Sequence, residues 1–472
     1  MGKFAKIPVL ALLLLLLLIL GCQMKPQQLR PALVHEGEVY VYLEPLPQEA
    51  QRLSFTLNGV YCVRADGALM PLKLRTARFD AVLADRQRLV AQGVLPAGQY
   101  KGLAFSVKDA HLRTEEGISS SLLVPARPVS AGLPFAVKEK DGLVISMTLR
   151  YGRAVKAGFS FSPAFDLKVP DKPVDALLGY VVNSGSNDIT VFNKSAMEVT
   201  GVIATGAGPM GMVLDPKVKR GYVALSREDA IDVIDMTEGA VVGRIRLNAG
   251  DDPSQVALTP DGGTLFSVNT GSNTISVIDP VSFVERSRIK VGVQPVYMLL
   301  DPSGKRAYVF NYFSNTASII DLTSTGVVAT VATDTAPIRG AFNRAGDRLY
   351  IINESSPYLT VFDPSGLSII KRQFAGQGMR AIKVDTRTDL VYIGKMNTPL
   401  LEVYDPFTFI PVDYIKAGAD PAYMTIDNDE NDLCVVDPVL ESLIFINLAS
   451  KKTVSMIDVG VGPCWVTLMG ER

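Results

Sequence analysis

An aromatic or similar apolar residue recurs at Tyr180, Tyr222, Phe266, Tyr308, Tyr350, Tyr392 and Cys434, at intervals of 42, 44, 42, 42, 42 and 42 residues. An acid or its amide recurs at Asn193, Asp235, Asp279, Asp321, Asp363, Asp405 and Asn447, with the same six intervals. Two markers that keep step this long define a repeat. The third unit shows its content. Residues 265–269 and 274–279 are strands around a turn from Thr270 to Asn273, 284–291 is a third strand and 296–300 a fourth. Asp301-Pro302-Ser303-Gly304 then turns the chain into the next unit. Proline at the second turn position presets φ, and glycine suits the fourth. Four strands in ~42 residues is the size of one propeller blade. Seven units predict an all-β chain with a seven-bladed β-propeller over residues 178–472. The repeat begins at a second strand, near Gly179, and ends with a first strand, Cys464 to Met469. The last strand is expected to complete the blade begun by residues 179–205, leaving no long open edge.

The strings Tyr180-Val181-Val182-Asn183 and Tyr308-Val309-Phe310-Asn311 resemble the YVTN family of β-propeller repeats. The resemblance covers all seven units and implies the propeller fold. The asparagine is replaced at Leu225, Lys395 and Asp437, and the second unit carries two extra residues before Pro253.

At the other end, Lys3 and Lys6 precede an unbroken apolar run over residues 9–20. A run of about a dozen residues suits a signal-peptide core and is short for a membrane span. Ile19-Leu20-Gly21-Cys22 follows, and resembles the lipobox of bacterial lipoproteins. That resemblance implies a signal peptide over residues 1–21, cleavage before Cys22 and lipidation of its thiol. Acyl chains, palmitate among them, would then hold the protein on a membrane without a transmembrane helix. Gln23 is similar to the outer-membrane sorting pattern of Gram-negative lipoproteins. The expected location is the cell envelope, lipid-anchored, facing periplasm or cell surface. Residues 22–33 form a polar tether.

Residues 34–169 are expected to form an antiparallel β-sandwich. Residues 39–43, 53–57, 100–105 and 143–150 alternate apolar and polar side chains, the period of half-buried strands. Asp66-Gly67, Pro96-Ala97-Gly98 and Asp141-Gly142 separate such runs. Only residues 84–92 suit a helical period. The turn over residues 95–100 resembles an uncharacterised β-sandwich domain found behind lipoboxes in bacterial envelope proteins, which carries no chemistry to transfer. Residues 170–177, with Pro170 and Pro173 among charges, are expected to be an exposed, semi-rigid linker.

Composition removes several function classes. The chain carries 47 basic and 48 acidic residues, so no basic face for nucleic acid is expected. Its two histidines, His35 and His111, both precede the repeat. The propeller therefore lacks a histidine for a haem, for a Ser-His-Asp base or for zinc or copper, and no cofactor is expected. Lactonase-like propellers become unattractive for the same reason, while carboxylate-only chemistry stays open. Beyond Cys22, the cysteines are Cys62, Cys434 and Cys464, with no CxxC pair. Cys434 and Cys464 should lie near opposite faces of the propeller, too far apart for a disulfide. The run Asp427-Asn428-Asp429-Glu430-Asn431-Asp432 places oxygens at alternate positions, as a calcium loop begins. It has Asp432 where such loops need glycine and Pro438 where they need glutamate, so it reads as a polar hairpin turn.

One row of aligned positions is chemically mixed. Two residues after each unit's leading proline, or Met379 in one unit, stand Gly211, Gln255, Tyr297, Arg339, Ala381, Tyr423 and Trp465, with Arg380 beside the row. The row of Leu214, Leu258, Leu300, Phe342, Val384, Ile426 and Leu468 is uniformly apolar and reads as core between blades. Gln255, Tyr297, Arg339, Arg380, Tyr423 and Trp465 are the candidate ligand-binding residues, at one mouth of the central channel. Ordinary packing, with the arginine satisfied by a carbonyl, is the competing reading. With no catalytic set in view, the expected function is a non-catalytic scaffold that binds a protein, peptide or glycan. The alternatives are a hydrolase or lyase using Asp, Arg and Tyr at the mouth, and a scaffold that docks a redox partner. Fold alone does not choose among them.

Overall fold

A computed structural model describes residues 35–80, 86–114, 117–429 and 431–471. Cys22 and the expected signal peptide and tether lie outside the described residues. Helix among the described residues is limited to Tyr151–Ala154 and the 3-10 turns Gln48–Ala50 and Asp175–Leu177. The rest of the regular structure is strand.

The repeat forms four-stranded antiparallel sheets. One consists of Pro209–Asp215, Arg220–Leu225, Ala230–Asp235 and Ala240–Arg246. The pattern recurs five times, ending with Tyr423–Ile426, Asp432–Asp437, Ser442–Asn447 and Lys452–Asp458. Successive innermost strands pack side by side, which is the propeller arrangement. The third unit has its strands where the sequence puts them, at Leu265–Asn269, Thr274–Ile278, Glu285–Lys290 and Pro295–Leu300.

The blade count is corrected. Six sheets stand as separate blades in the ring, not seven. The strands expected to make the seventh do pair, in the order Pro463–Leu468, Leu178–Asn183, Asp188–Asn193, Glu198–Ala204. Pro463–Leu468 also packs against both Tyr423–Ile426 and Pro209–Asp215. These strands are not a separate sheet, because Val202 of the outer strand pairs with Gly142 of the N-terminal region. They thereby join a 14-stranded sheet. An outer strand presents unpaired N–H and C=O groups, and a strand from elsewhere in the chain has taken this edge.

Both repeat markers have a physical cause. The first series is core: Tyr180, Tyr222, Phe266, Tyr308, Tyr350, Tyr392 and Cys434 are all buried. The second series caps turns. Asp279 Oδ1 accepts from the N–H groups of Val281 and Ser282 at 2.8 and 3.2 Å, and Asp235, Asp321 and Asp405 do the same two and three residues ahead. One of the lost asparagines also has an explanation. Asn311 donates to Ser318 Oγ, seven residues on, at 3.0 Å, and Asn269 to Ser276 at 2.8 Å. Where the asparagine becomes Lys395, the partner seven residues on is Glu402, and the two form an ion pair at 2.5 Å.

The N-terminal strands build a core of their own around Val39, Val41, Phe55, Phe105, Ile145, Met147 and Phe165. Two expectations change here. The strands are not all antiparallel, because Glu36–Leu43 runs parallel to Gly142–Leu149. Nearly a hundred residues separate these strands, so no tight turn dictates their sense. Residues 88–92 are strand rather than helix, within Arg88–Pro96. Glu36–Leu43 is also buried on both faces from Gly37 onward. Its Val39, Val41 and Leu43 face the N-terminal core, while Tyr40 and Tyr42 enter a cluster with Tyr180, Phe192 and Ile457 of the repeat.

Buried Gln87 ties the two regions together. Its Nε2 donates to Glu44 Oε1 at 3.1 Å, and its Oε1 accepts from Val199 N–H at 2.9 Å. Residues 170–177 are fastened too, with Lys172 Nζ donating to the Met236 carbonyl at 2.9 Å and Asp175 paired to Lys219 at 2.7 Å.

Candidate functional site

The innermost strands begin irregularly. The pairing register slips beside the leading residue in six of the sheets, at Pro209, Pro253, Pro295, Pro337, Met379 and Pro463. A bulge of this kind re-aims side chains and breaks strict alternation. Two consecutive residues therefore reach the channel mouth from four of the innermost strands, and one from two others. A pocket of about 410 Å³ opens there. It is lined by the mixed-row residues Gly211, Tyr297, Arg339 and Trp465, and by the row one residue earlier, Met210, Ser254, Val296, Ile338, Arg380 and Cys464. The earlier row was missed, apart from Arg380, because alternation assigns consecutive residues to opposite faces. The bulges were the needed signal, and the recurring leading prolines, which lack an N–H to donate, are their mark in the sequence.

Four candidates form one cluster. Tyr423 stacks on Trp465 with ring centroids 4.1 Å apart, and Tyr297 lies 6.0 Å from the same indole. The Arg339 guanidinium sits over the Tyr423 ring, 4.7 Å from its centroid. Its Nη1 donates to the carbonyls of Arg380, at 3.1 Å, and Ala422. The carbonyl contacts of the packing reading are therefore present. They do not neutralise the charge, and Arg339 has no ion pair among the described residues. Confinement in the channel lowers its pKa, against the opposing pull of Tyr423 and Tyr297. Arg380, by contrast, is paired with Asp420.

Other candidates have structural work. Gln255 is buried, and its amide is used by the neighbouring strand: Oε1 accepts from Met298 N–H at 2.7 Å and Nε2 donates to the Met298 carbonyl at 3.1 Å. It does not line the pocket. Tyr423 lies behind Trp465 as part of the pocket's backing. Gly211 allows a close approach, since a Cβ there would fall 2.9 Å from Gln255 Cα.

The ionisable groups of this pocket are poorly placed for catalysis. Burial pushes the Cys464 thiol up to about 11. Burial also raises the hydroxyl pKa values of Tyr297 and Tyr423. Asp252, raised by partial burial and by Asp229, moves toward neutrality, but it is an exposed residue at the rim. His35 and His111 are in the N-terminal region, against Glu139 and Ser121 respectively. Cys62, Cys434 and Cys464 are unpaired.

The acidic turn has an unexpected occupant. Lys194 Nζ, 1% exposed at its side chain, lies 2.7 Å from Asp427 Oδ1 and 3.0 Å from Asp429 Oδ2. It also donates to the Met469 carbonyl at 2.8 Å. A calcium ion at these carboxylates would have to displace an ammonium already between them. The aligned positions held a clue. Lys194 corresponds to Met236, Pro280, Leu322, Pro364, Pro406 and Leu448, and a charge in an otherwise apolar row needs a partner.

Comparison with known proteins places the fold. The model of the family described as YNCE-like beta-propeller matches residues 262–398. No curated protein matches the chain. Among solved structures, a functionally unknown protein from Desulfotomaculum acetoxidans DSM 771 is similar at 15% identity and a TM-score of 0.53, covering 61% of this chain and 98% of that one. The dihydro-heme d1 dehydrogenase NirN in complex with DHE is similar at 14% identity and a TM-score of 0.51, covering 64% and 78%. Hydrazine synthase of Kuenenia stuttgartiensis is similar at 18% identity and a TM-score of 0.49, covering 56% and 90%. The family match and the two likenesses with TM-scores above 0.5 show the β-propeller fold.

Proposed function

We propose that the protein is a lipid-anchored envelope scaffold whose propeller binds an acidic peptide segment at the channel mouth. The observation that carries this reading is Arg339. It is a confined guanidinium with no carboxylate partner among the described residues, backed by an aromatic stack and open to a pocket of about 410 Å³. Arginine recognises carboxylates through paired N–H donors, and buried aromatics with arginine are the usual anchors of an interface. The apolar neighbours Met210, Val296 and Ile338 suit the body of a peptide. A small module with such a site needs no catalytic group, and the shifts of Cys464, Tyr297 and Tyr423 away from neutrality favour binding over catalysis.

In this reading the strand group 178–204 with 463–468 acts as a seventh blade, and residues 34–169 act as a sandwich-like spacer behind the Cys22 anchor. The test of the site uses acidic peptides captured from envelope extracts by the purified protein. Arg339→Ala should weaken their binding by roughly 2 kcal/mol or more. Its melting temperature should fall by only a few degrees, because two carbonyl hydrogen bonds and a ring contact are lost but no ion pair is broken. Normal binding by Arg339→Ala and Tyr297→Ala would make the cluster mere packing. Glycan capture with no peptide capture would replace the ligand class. The anchor has its own test. Cys22→Ser should leave an unlipidated protein that washes from membranes, and fatty-acid labelling of that variant would refute the lipobox.

A further inference from the structure

A second cavity, of about 350 Å³, lies where the N-terminal strands meet the blade of residues 423–458. Its charged lining is Lys73, Arg75, Arg86 and Arg88 against Glu441 and Asp458, four cations to two carboxylates. We propose that this cavity is a binding site for a phosphate group.

The guanidiniums are short of acceptors. Arg86 and Arg88 share one carboxylate, with Arg86 Nη2 2.8 Å from Asp458 Oδ1 and Arg88 Nε 3.1 Å from Oδ2. The first contact is close but too poorly aligned for a hydrogen bond, because Asp458 Oδ1 has no hydrogen-bond partner. Asp458 Oδ2 is shared again with Leu89 N–H at 3.0 Å. Arg86 Nη1 points at the Met456 thioether at 3.1 Å, a weak acceptor. Arg86 Nε and Arg88 Nη1 are buried with no partner. Both side chains are mostly buried, at 17% and 12% exposure. Buried charge without compensation is unfavourable, so this arrangement is poised for an anion.

A purely structural clamp explains only part of this. Arg75 pairs with Glu441, and Arg88 with Asp458, across the junction of the two regions. Lys73 is exposed, has no ion pair among the described residues, and still faces the cavity. A clamp has no use for it, whereas a phosphate does. A tetrahedral dianion offers several acceptor oxygens to guanidinium forks and to a lysine point charge. Thr76, which already accepts from Arg88 Nη2 at 3.3 Å, adds a hydroxyl to the same wall.

A soluble phosphate compound and a lipid headgroup share this chemistry. The experiment titrates the purified protein with inorganic phosphate by calorimetry, at ionic strength fixed with chloride. A parallel arm uses phosphatidylglycerol vesicles against phosphatidylcholine vesicles. Saturable phosphate binding assigns a soluble ligand, and binding only to the anionic vesicles assigns a headgroup. Either affinity should fall at least tenfold in Lys73→Ala, an exposed position whose change leaves the fold intact. Arg88→Lys keeps a cation beside Asp458 but removes the unpartnered Nη1, and should show the same loss. The proposal is overturned if neither probe binds saturably, or if Lys73→Ala binds as the parent does.

Discussion

Lys194 gives the sharpest test of how the ring is held shut. The residue follows the strand Asp188–Asn193, its acid partners sit in the turn after Tyr423–Ile426, and its carbonyl partner ends the C-terminal strand. One ammonium thus joins the three chain segments that meet at the closure. Lys194→Met fills similar space without the charge, and leaves Asp427, 2% exposed at its side chain, without its cation. Removing one partner of a buried pair costs about 3–5 kcal/mol. The ammonium is sealed but shallow, beneath an Asp429 side chain that is 59% exposed, so the lower end applies, about 3 kcal/mol. Urea unfolding of the parent, Lys194→Met, Asp427→Asn and the double variant measures it. The double variant should be more stable than the sum of the two single losses, because it removes the orphaned charge. Burial disfavours the Lys194 ammonium, but the bonds to Asp427 and Asp429 outweigh it and leave the pKa raised. A raised lysine stabilises fully below the ordinary lysine value, about 10.4, and loses that contribution only as pH rises through the folded value. The gap between parent and Lys194→Met should therefore be flat from pH 6 to 9. A variant that unfolds at the parent's urea midpoint, or a double variant that simply adds, would refute the argument.

Two further outcomes follow from the same contacts. Deleting residues 462–472 removes Pro463–Leu468, whose Trp465, Val466 and Leu468 are buried, and melting should fall far below the parent temperature; a truncated protein that melts with the parent would mean that the ring closes otherwise. Gln87→Ala strands the Val199 N–H and should cost about 1–3 kcal/mol in denaturant unfolding. A change under about 0.5 kcal/mol would mean that this junction amide is satisfied by water.

The repeat was legible because each marker does the same physical job in every blade. Asp279 caps a turn and Phe266 fills a core, and neither task depends on distant sequence. The N-terminal region was less legible because its strands answer to two environments. Val39 to Leu43 looks like an alternating half-buried strand, yet Tyr40 and Tyr42 are buried against the repeat while Val39 and Val41 are buried against the local core. The parallel pairing of Glu36–Leu43 with Gly142–Leu149 leaves no turn signature. That second interface also merges the expected seventh blade into a larger sheet, through one pairing at Val202 that no local pattern announces.

The mixed row shows where position stops and chemistry takes over. Gln255 and Arg339 occupy equivalent places in their units and have opposite fates. An amide carries both an acceptor and donors, so Gln255 can complete the N–H and the carbonyl of Met298 at once, and it is buried. A guanidinium carries donors alone. Arg339 can reach carbonyls of Arg380 and Ala422, but no backbone group can cancel its charge. Facing an open pocket rather than a closed core, it needs no acid partner to be tolerated, and it stays available for one. On the proposed reading, the same position in the repeat yields a structural stitch with one side chain and a binding anchor with the other. The prediction for Arg339→Ala rests on that difference: lost affinity for an acidic ligand, with little change in stability. Gln255→Ala should do the reverse, lowering the melting temperature while leaving affinity for the acidic peptide unchanged. If the two variants behaved alike in both measurements, donor and acceptor chemistry would not be what separates them.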